Sequence, residues 1–219
     1  MFDLQLVELE KLTRKNKDGI RVYETPEGDF YPSVTTITSQ LNKKAIVEWR
    51  ARVGEEKAKQ ITAQASARGT SVHKLCEKYV LGTLDPEEVM PSNRTIFNSL
   101  SSHLADNVTE VYSVEGFLYS DYLRTAGQVD LIAKYNGKVS VIDFKTSKKE
   151  KRKDWIRNYF IQESAYAVMW EERTGQPVTQ LVTLIGCDEP EGRLQVFVEH
   201  RDDYIQDFIE LRSQFDSSL

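Results

Sequence analysis

Residues 127–145 read GQVDLIAKYNGKVSVIDFK, and the Asn136-Gly137 pair near their centre decides how this part of the chain folds. A two-residue type I′ turn requires positive φ at both central positions, which Asn and Gly tolerate better than other residues. The flanking runs, Thr125–Tyr135 and Lys138–Phe144, are rich in β-branched and aromatic residues. The stretch therefore predicts a β-hairpin that turns at Asn136-Gly137.

The two-residue turn also fixes which side chains meet across the hairpin. With Tyr135 facing Lys138, Asp130 lies directly opposite Asp143, and Lys145 points to the same face as Asp143. Opposed side chains have Cβ atoms roughly 4.5–5.5 Å apart, a distance at which like charges are destabilising. Two carboxylates there require a shared proton or a cation, and hard oxygen ligands favour Mg²⁺ or Mn²⁺. A structural Asp–Lys–Asp triad and a slipped hairpin are the alternatives to a metal site.

The rest of the chain is expected to surround this hairpin as one compact domain of the α/β (α+β) class, a mixed central sheet flanked by helices. Residues 1–107 form an N-terminal hairpin and helical region, and residues 108–219 form the core that holds the sheet. The elements expected before residue 108 are a hairpin of Leu4–Leu12 with Ile20–Thr25, a short helix capped by Ser33, helices Ala45–Ala67 and Thr70–Leu81 separated at Gly69, and a helix Asn93–Asp106. Those expected after it, besides the central hairpin, are strand Val111–Tyr119, helix Asp154–Thr174, strands Val178–Cys187 and Arg193–His200, and helix Asp202–Phe215.

Composition excludes several classes of protein. The chain has 219 residues, of which 40% are hydrophobic, and this suits one folded domain rather than a disordered chain. No apolar run approaches the roughly 20 residues that span a bilayer. The two cysteines, Cys76 and Cys187, are too few for a disulfide scaffold, a four-Cys zinc site or a Cys-ligated iron–sulfur cluster. Residues 1–10 lack the layout of a secretory signal or transit peptide, so we expect a cytoplasmic protein of a bacterium or a phage-infected cell.

The charge is unevenly distributed. The chain carries 29 basic and 34 acidic residues, a net charge of −5 that by itself speaks against a nucleic-acid partner. Residues 145–157, which we call the basic strip, nevertheless hold seven basic and two acidic side chains, a local charge of +5. A charge run is often only a solvated loop, but this one begins at Lys145, beside the paired aspartates. Its position therefore favours contact with phosphates.

Taken in order, several motifs resemble those of the RecB-like branch of the PD-(D/E)XK nuclease superfamily, over roughly residues 66–170. They are Arg68-Gly69-Thr70 followed by His73 on a helix, Glu115 in a strand, Gly127-Gln128-Val129-Asp130, Asp143-Phe144-Lys145-Thr146-Ser147, and Gln162 followed by Tyr166. The upstream segment 31–37, YPSVTTI, is similar to one in mitochondrial and phage exonucleases of that superfamily. The chain departs from the superfamily pattern at Val129, where a Pro often stands. It also lacks the four cysteines of the iron–sulfur members.

The resemblance implies a restriction-endonuclease-like fold in which the helical N-terminal region arches over the site. It implies a Mg²⁺ or Mn²⁺ ion, with no iron–sulfur cluster, held by His73, Asp130, Asp143 and the backbone carbonyl of Phe144. Glu115 is an additional ligand, a carboxylate behind the ligands that does not itself bind the metal, or a solvent-facing strand residue. The catalytic residues that it implies are Asp130, Asp143, Lys145, Gln162 and Tyr166. The residues expected to contact DNA are Ser33, Thr35, Arg68, Thr146, Ser147, Lys148, Lys149, Arg152, Lys153 and Trp155.

The function that follows is a metal-dependent DNA exonuclease that acts from free ends of single-stranded DNA. We expect it to work with replication or recombination proteins and away from membranes. An exonuclease for double-stranded DNA in phage recombination or repair, and an endonuclease, are alternatives within the same class. An inactive nucleic-acid-binding module would not need the intact set Asp130, Asp143 and Lys145. A metal-dependent phosphatase would leave the basic strip unexplained.

Overall fold

The computed structural model describes residues 2–217 of the chain. The strands are β1 Asp3–Leu4, β2 Thr13–Lys17, β3 Ile20–Glu24, β4 Phe30–Pro32, β5 Val108–Ser120, β6 Thr125–Tyr135, β7 Lys138–Lys149, β8 Gln180–Glu189 and β9 Arg193–His200. The helices are α1 Val34–Thr38, α2 Lys43–Val53, α3 Glu55–Val80, α4 Pro91–Asn107, α5 Arg157–Thr174 and α6 Ile205–Ser217. Short 3₁₀ turns lie at Ser39–Asn42, Pro86–Glu88, Lys153–Trp155 and Arg201–Asp203.

A six-stranded mixed sheet in the order β1-β5-β6-β7-β8-β9 forms the centre of the fold. β1 runs parallel to β5 and β7 runs parallel to β8, while the other neighbours are antiparallel. A second sheet, β2-β3-β4, lies at the N-terminal side. The expected fold class, a mixed central sheet flanked by helices, is confirmed.

Helices cover both faces of the central sheet because alternate residues of its strands are apolar and point to opposite sides. Val141 and Ile185 pack in a core with residues of α1, α5 and α6. Ile142 and Leu184 pack in a second core with residues of α3 and α4. α5 and α3 therefore lie on opposite faces of the strands that carry the aspartates.

The central hairpin has the predicted turn, and its pairing follows the predicted register up to Leu131 and Ile142, but the predicted pairing of Asp130 with Asp143 is not formed. Asn136 and Gly137 have φ of 48° and 81°, the positive values that a type I′ turn requires. Tyr135 pairs with Lys138, and the ladder continues to Leu131 and Ile142. β7 extends to Lys149, beyond the predicted end, because its second half pairs in parallel with β8.

The N-terminal hairpin differs from the prediction. β3 pairs with Thr13–Lys17, so the assignment of Leu4–Leu12 as its partner was wrong. The turn is formed by Asp18-Gly19, both at positive φ, which places Lys17 opposite Ile20. Every residue of β2 is exposed, and a strand of that kind carries no apolar alternation by which it could be recognised.

The helix break also differs. α2 ends at Gly54, which has φ of 87°, and α3 then runs for 26 residues straight through Gly69. An internal glycine costs a helix only about 1 kcal/mol relative to alanine, and the packing of α3 on α4 and β7 offsets that cost. The predicted boundary at Gly69 was therefore wrong. The cap of α1 is confirmed, since Ser33 Oγ accepts the backbone N–H of Thr36 at 3.0 Å.

The N-terminal half of α3 and the whole of α2 stand away from the core. α2 has no buried residue, and Ala58 is the single buried side chain among residues 55–67. Apolar side chains on this projection, among them Val47 and Ile61, are exposed. None of the helices within residues 2–217 is both long and apolar enough to cross a membrane.

Candidate active site where β6 and β7 separate

The β6–β7 ladder stops at the pair Leu131–Ile142, one position before the two aspartates. Asp130 and Asp143 are therefore the first residues at which the two strands separate. The freed backbone N–H of Phe144 donates to Asp130 Oδ2 at 2.8 Å. The carboxylate of Asp130 thus lies in the gap between the strands.

Asp143 is 3% exposed and is contacted from β7 itself and from α5. Lys145 Nζ forms an ion pair with Asp143 Oδ2, so the predicted shared face of these two residues is observed. Gln162 Nε2 on α5 donates to Asp143 Oδ1 at 3.1 Å. The ammonium group of Lys145 also lies 5.1 Å from the ring centroid of Tyr159, a favourable cation–π arrangement.

Asp130 is contacted from the opposite face of the sheet, by α3. His73 Nδ1 lies 3.4 Å from Asp130 Oδ2, and the His73 ring packs edge-on against Phe144. Glu115 on β5 joins them, since His73, Glu115 and Asp130 each offer a ligand atom within 4.8 Å of one another. We call His73, Glu115, Asp130, Asp143 and Lys145 the carboxylate site.

The donors of the carboxylate site fit a hard divalent cation. Two carboxylates and one imidazole, those of Glu115, Asp130 and His73, converge where β6 and β7 separate, and Asp143 lies at the same separation, paired with the ammonium of Lys145. Carboxylate oxygens are the ligands that Mg²⁺ and Mn²⁺ prefer, and a histidine is compatible with Mn²⁺. Like charges this close repel one another in the absence of a cation, and the repulsion shifts the pKa values of the groups at the site.

Burial raises the pKa of Asp143 to about 6, and the nearby Asp130 carboxylate adds to the rise while Lys145 opposes it. Burial likewise raises the pKa of Glu115 to about 7, with Asp130 adding to the effect. Burial alone would lower the pKa of His73, but the Asp130 carboxylate raises it to about 9. Burial works against ionisation of Asp130 as well, yet His73, Lys145 and the N–H of Phe144 keep its pKa below the usual value. Asp130 is therefore the carboxylate that stays charged.

Tyr166, one turn after Gln162 on α5, is buried and packs against Gly127 at the start of the GQVD motif. A β-carbon at Gly127 would lie 2.8 Å from the Tyr166 ring, so only glycine permits this approach. Tyr166 thus contacts the backbone of β6 near Asp130. Burial raises its pKa well above the usual value, so it remains a neutral phenol.

The residues predicted to contact DNA fall into different environments. Ser33 is buried and caps α1, while Thr35 beside it is exposed. Thr146 is half-buried on β7, and Ser147 is buried with its hydroxyl donating to the carbonyl of Lys149 at 2.6 Å. Arg68 forms an ion pair with Asp188 on β8, and its Nε is buried without a hydrogen-bond partner among residues 2–217.

The basic strip is mostly exposed from Lys148 onward, and many of its cations pair with acids from elsewhere in the fold. Glu189 at the end of β8 lies 3.5 Å from Lys148 and 3.8 Å from Lys149. Lys153 pairs with Glu199 at 2.6 Å. Within the strip, Arg152 pairs with Asp154 at 2.9 Å and stacks near the exposed Trp155.

Two residues near the site were assigned no role from the sequence. Glu163 is fully buried on α5, accepts a hydrogen bond from Thr183 Oγ1, and has a pKa raised well above the usual value by burial. Its neighbour Gln162 belongs to one of the motifs that resemble the nuclease superfamily, whereas a lone Glu in a helix carries no such signal. Gln128 donates from Nε2 to the carbonyl of Glu115 at 3.0 Å, a contact between β6 and β5 that no local pattern reveals.

The chain is similar to known nucleases over most of its length. A family model described as the PD-(D/E)XK nuclease superfamily matches residues 46–215. "Mitochondrial genome maintenance exonuclease 1" of Xenopus tropicalis is 32% identical over 146 residues, which cover 62% of this chain and 42% of that protein. The human protein of the same name is 29% identical over 142 residues, covering 59% and 40%. The chain thus matches less than half the length of these curated relatives.

Proposed function

The chain belongs to the PD-(D/E)XK nuclease superfamily, and on that premise we propose that it is a Mg²⁺- or Mn²⁺-dependent deoxyribonuclease that degrades DNA from free ends, with single strands as its preferred substrate. The observation that carries the proposal is the carboxylate site itself. His73, Glu115 and Asp130 converge, and Asp143 with its partner Lys145 stands at the same strand separation.

We assign the metal to His73, Asp130, Asp143 and the backbone carbonyl of Phe144, with Glu115 as a further ligand. A bound divalent cation supplies Lewis-acid charge neutralisation at a phosphodiester and lowers the pKa of a coordinated water. The unequal pKa values of the carboxylates suit this role. Asp130 is already ionised in the protein, while Asp143 and Glu115 gain their charge more readily once a cation offsets the repulsion.

Lys145 is the residue we assign to the reacting phosphate. Its pKa is raised, because the neighbouring carboxylates outweigh the effect of burial, so it is a permanent cation at the site. An ammonium there stabilises the extra negative charge of the transition state and orients the attacking water. Gln162 holds one oxygen of Asp143 and leaves the other to Lys145. Tyr166, packed on Gly127, maintains the position of β6.

For the substrate, the basic strip and the projecting helices are the relevant surfaces. Lys148, Lys149, Arg152 and Lys153 follow Lys145 directly and would contact backbone phosphates, and the exposed Trp155 would stack on a base. α2 and residues 55–67 of α3, which precede His73 along the chain, stand clear of the core. A strand passing beneath such a projection enters by its end, which supports a requirement for free ends.

The exonuclease names of the relatives agree with this proposal, and those names refer to longer proteins. A double-strand exonuclease of phage recombination or repair, and an endonuclease, would use the same carboxylate site. The cytoplasmic location and the replication or recombination partners expected from the sequence remain part of the proposal.

The test is a comparison of substrates. Linear and circular DNA, single- and double-stranded and labelled at either end, are incubated with the protein in Mg²⁺, Mn²⁺ or EDTA. We expect loss of linear single strands with either metal and no loss in EDTA. Degradation of circular DNA at the same rate as linear DNA would overturn the requirement for an end, and activity that persists in EDTA would overturn the metal assignment.

A further inference from the structure

Glu115 has a backbone conformation that is unusual for a residue inside a β-strand. Of residues 2–217, four other than glycine have positive φ, and three of these, Asp18, Arg124 and Asn136, lie in turns. Glu115, at φ 50°, lies inside strand β5, the second strand in the order of the central sheet. Residues with a β-carbon adopt this conformation at a cost, and persist in it where the surroundings impose it.

The backbone of β5 departs from regular pairing with β6 at Glu115. Val114 pairs with Leu131 and Gly116 pairs with Val129, but the intervening Glu115 does not pair with Asp130. Its carbonyl accepts instead the side-chain amide of Gln128, at 3.0 Å. The next residue has to be glycine, because a β-carbon at Gly116 would meet Ser113 Oγ at 2.1 Å.

From this turned backbone the Glu115 carboxylate reaches the site. Its ligand atom lies within 4.8 Å of those of His73 and Asp130. The side-chain amide of Gln128 donates a hydrogen bond to the Glu115 carbonyl in this turned backbone. The carbonyl therefore does not need a partner in a regular strand ladder.

We propose that Gln128 is a positioning residue: its hydrogen bond to the Glu115 carbonyl holds that backbone turned, and thereby holds the Glu115 carboxylate in the metal-ligand set with His73 and Asp130. The inference rests on the proposed function, which supplies the metal. Gln128 itself does not touch the metal or the DNA in this role. Residues that orient a ligand typically change metal affinity about 10- to 100-fold when replaced.

The test measures Mn²⁺ affinity by calorimetric titration, without DNA and without turnover. Gln128→Met keeps the length of the side chain and removes the amide, and we expect roughly 10-fold weaker binding. Gln180→Met is the matched control, because Gln180 on β8 also donates its amide to a backbone carbonyl of the sheet, that of Tyr135, at 3.2 Å. The control is expected to bind Mn²⁺ as the wild type does.

Two further variants separate positioning from general structure. Gln128→Glu keeps the shape, exchanges the donor for an acceptor and adds a negative charge. A charge effect alone would strengthen cation binding, whereas loss of positioning weakens it. In the double variant with Glu115→Gln, Gln128→Met should add no further loss, because its effect passes through Glu115.

The outcomes distinguish this inference from the function on which it rests. A wild-type protein that shows no Mn²⁺ binding sensitive to Asp130→Asn would overturn the proposed function itself. Normal binding by Gln128→Met, stronger binding by Gln128→Glu, or an undiminished effect of Gln128→Met in the Glu115→Gln background would each overturn the role of Gln128 alone. Melting temperatures of Gln128→Met and Gln180→Met, taken in EDTA, establish that both variants are folded.

Discussion

Two lysine–acid contacts on the same strand, a few residues apart, show how burial changes the meaning of a charge. Lys145 pairs with an Asp143 side chain that is 4% exposed, and its own side chain is 21% exposed. Lys148 pairs with Glu189 where the two side chains are 74% and 52% exposed. The first pair is largely removed from water, and so leaving either partner alone there is costly. The second contributes about 0–1 kcal/mol and exchanges readily with other ions.

The difference assigns separate tasks to the two ends of the basic strip. The buried end has fixed geometry, which suits chemistry. The exposed end has cations whose acid partners are easily replaced by phosphates, which suits reversible contact with a polymer. Each of the following experiments tests this difference between the buried and the exposed end of the basic strip.

The largest effect is expected at the buried end. Lys145→Ala and Asp130→Asn should each lower the rate of DNA cleavage by at least about 10²–10³-fold, since each removes a charged group of the carboxylate site. Lys145→Ala should leave DNA binding largely intact. Lys134→Ala is the control, because Lys134 pairs with Glu110 on the same sheet at 2.8 Å, outside the site. Cleavage that persists in Lys145→Ala or Asp130→Asn would contradict the assignment of that residue to the active site.

The next effect is a pH dependence of stability in the metal-free protein. Asp143 and Glu115 have pKa values raised to about 6 and about 7, so the folded protein keeps protons that the unfolded chain has lost. Stability should therefore fall as pH rises from about 4 to 7. The raised pKa of His73, about 9, contributes stability that is present below about 6.5 and lost as pH rises through 9.

Melting temperatures in EDTA between pH 5 and 9 test this expectation. Saturating Mn²⁺ should reduce the decline, because metal ligands bind in their deprotonated forms and affinity rises with pH. His73→Asn should flatten the decline above pH 6.5, while the exposed His200→Asn should not. A melting temperature that rises steadily over this range in EDTA would contradict the assigned shifts.

A smaller effect is expected at the exposed end of the basic strip. Lys148→Ala with Lys149→Ala should weaken DNA binding about equally for all sequences and lower the salt slope of log affinity by about 2, one for each phosphate that is no longer neutralised. Cleavage of saturating DNA should continue. Lys134→Ala with Lys138→Ala, at the turn end of the β6–β7 hairpin, provides a control of equal charge change. Loss of cleavage without loss of affinity would place these lysines in the chemistry instead.

The smallest effect is expected from Glu189, the acid of β8 that pairs with two lysines of the basic strip. Glu189→Gln releases Lys148 and Lys149 from their shared partner and should raise DNA affinity by a few-fold at low salt, since an exposed pair is worth about 0–1 kcal/mol. The gain should disappear at high salt. An unchanged affinity at low salt would mean that these lysines do not face the DNA.

How much could be read from the sequence depended on how local each determinant is. The Asn136-Gly137 turn fixes its own register, and the bounds of β6 and the pairing as far as Leu131–Ile142 followed from it. The partner of β3 was missed because β2 is polar throughout and its turn is its single signal. Gly69 was mistaken for a break because its helix is held by packing on other elements.

The site shows the same division. The chain segment that carries Asp143, Lys145 and the basic strip was evident from the residues, and the superfamily resemblance is confirmed by the family match. The left-handed backbone of Glu115 depends on Gln128, thirteen residues away on another strand. The acids that neutralise Lys148 and Lys153 come from β8 and β9. Interactions of this kind arise from tertiary folding and leave no periodicity in the sequence.

Because α3 is one continuous helix, a deletion within it changes the orientation of its other residues. Its 26 residues form one rod of about 39 Å, with His73 near one end and the projecting turns at the other. Deleting a single residue between positions 55 and 67 would rotate every preceding turn of the rod by about 100° relative to the imidazole. A loop absorbs such a change, but a helix transmits it in full. The orientation of the projecting turns about the helix axis is therefore fixed relative to the histidine, so a change in the length of this segment alters more than an exchange of its exposed side chains.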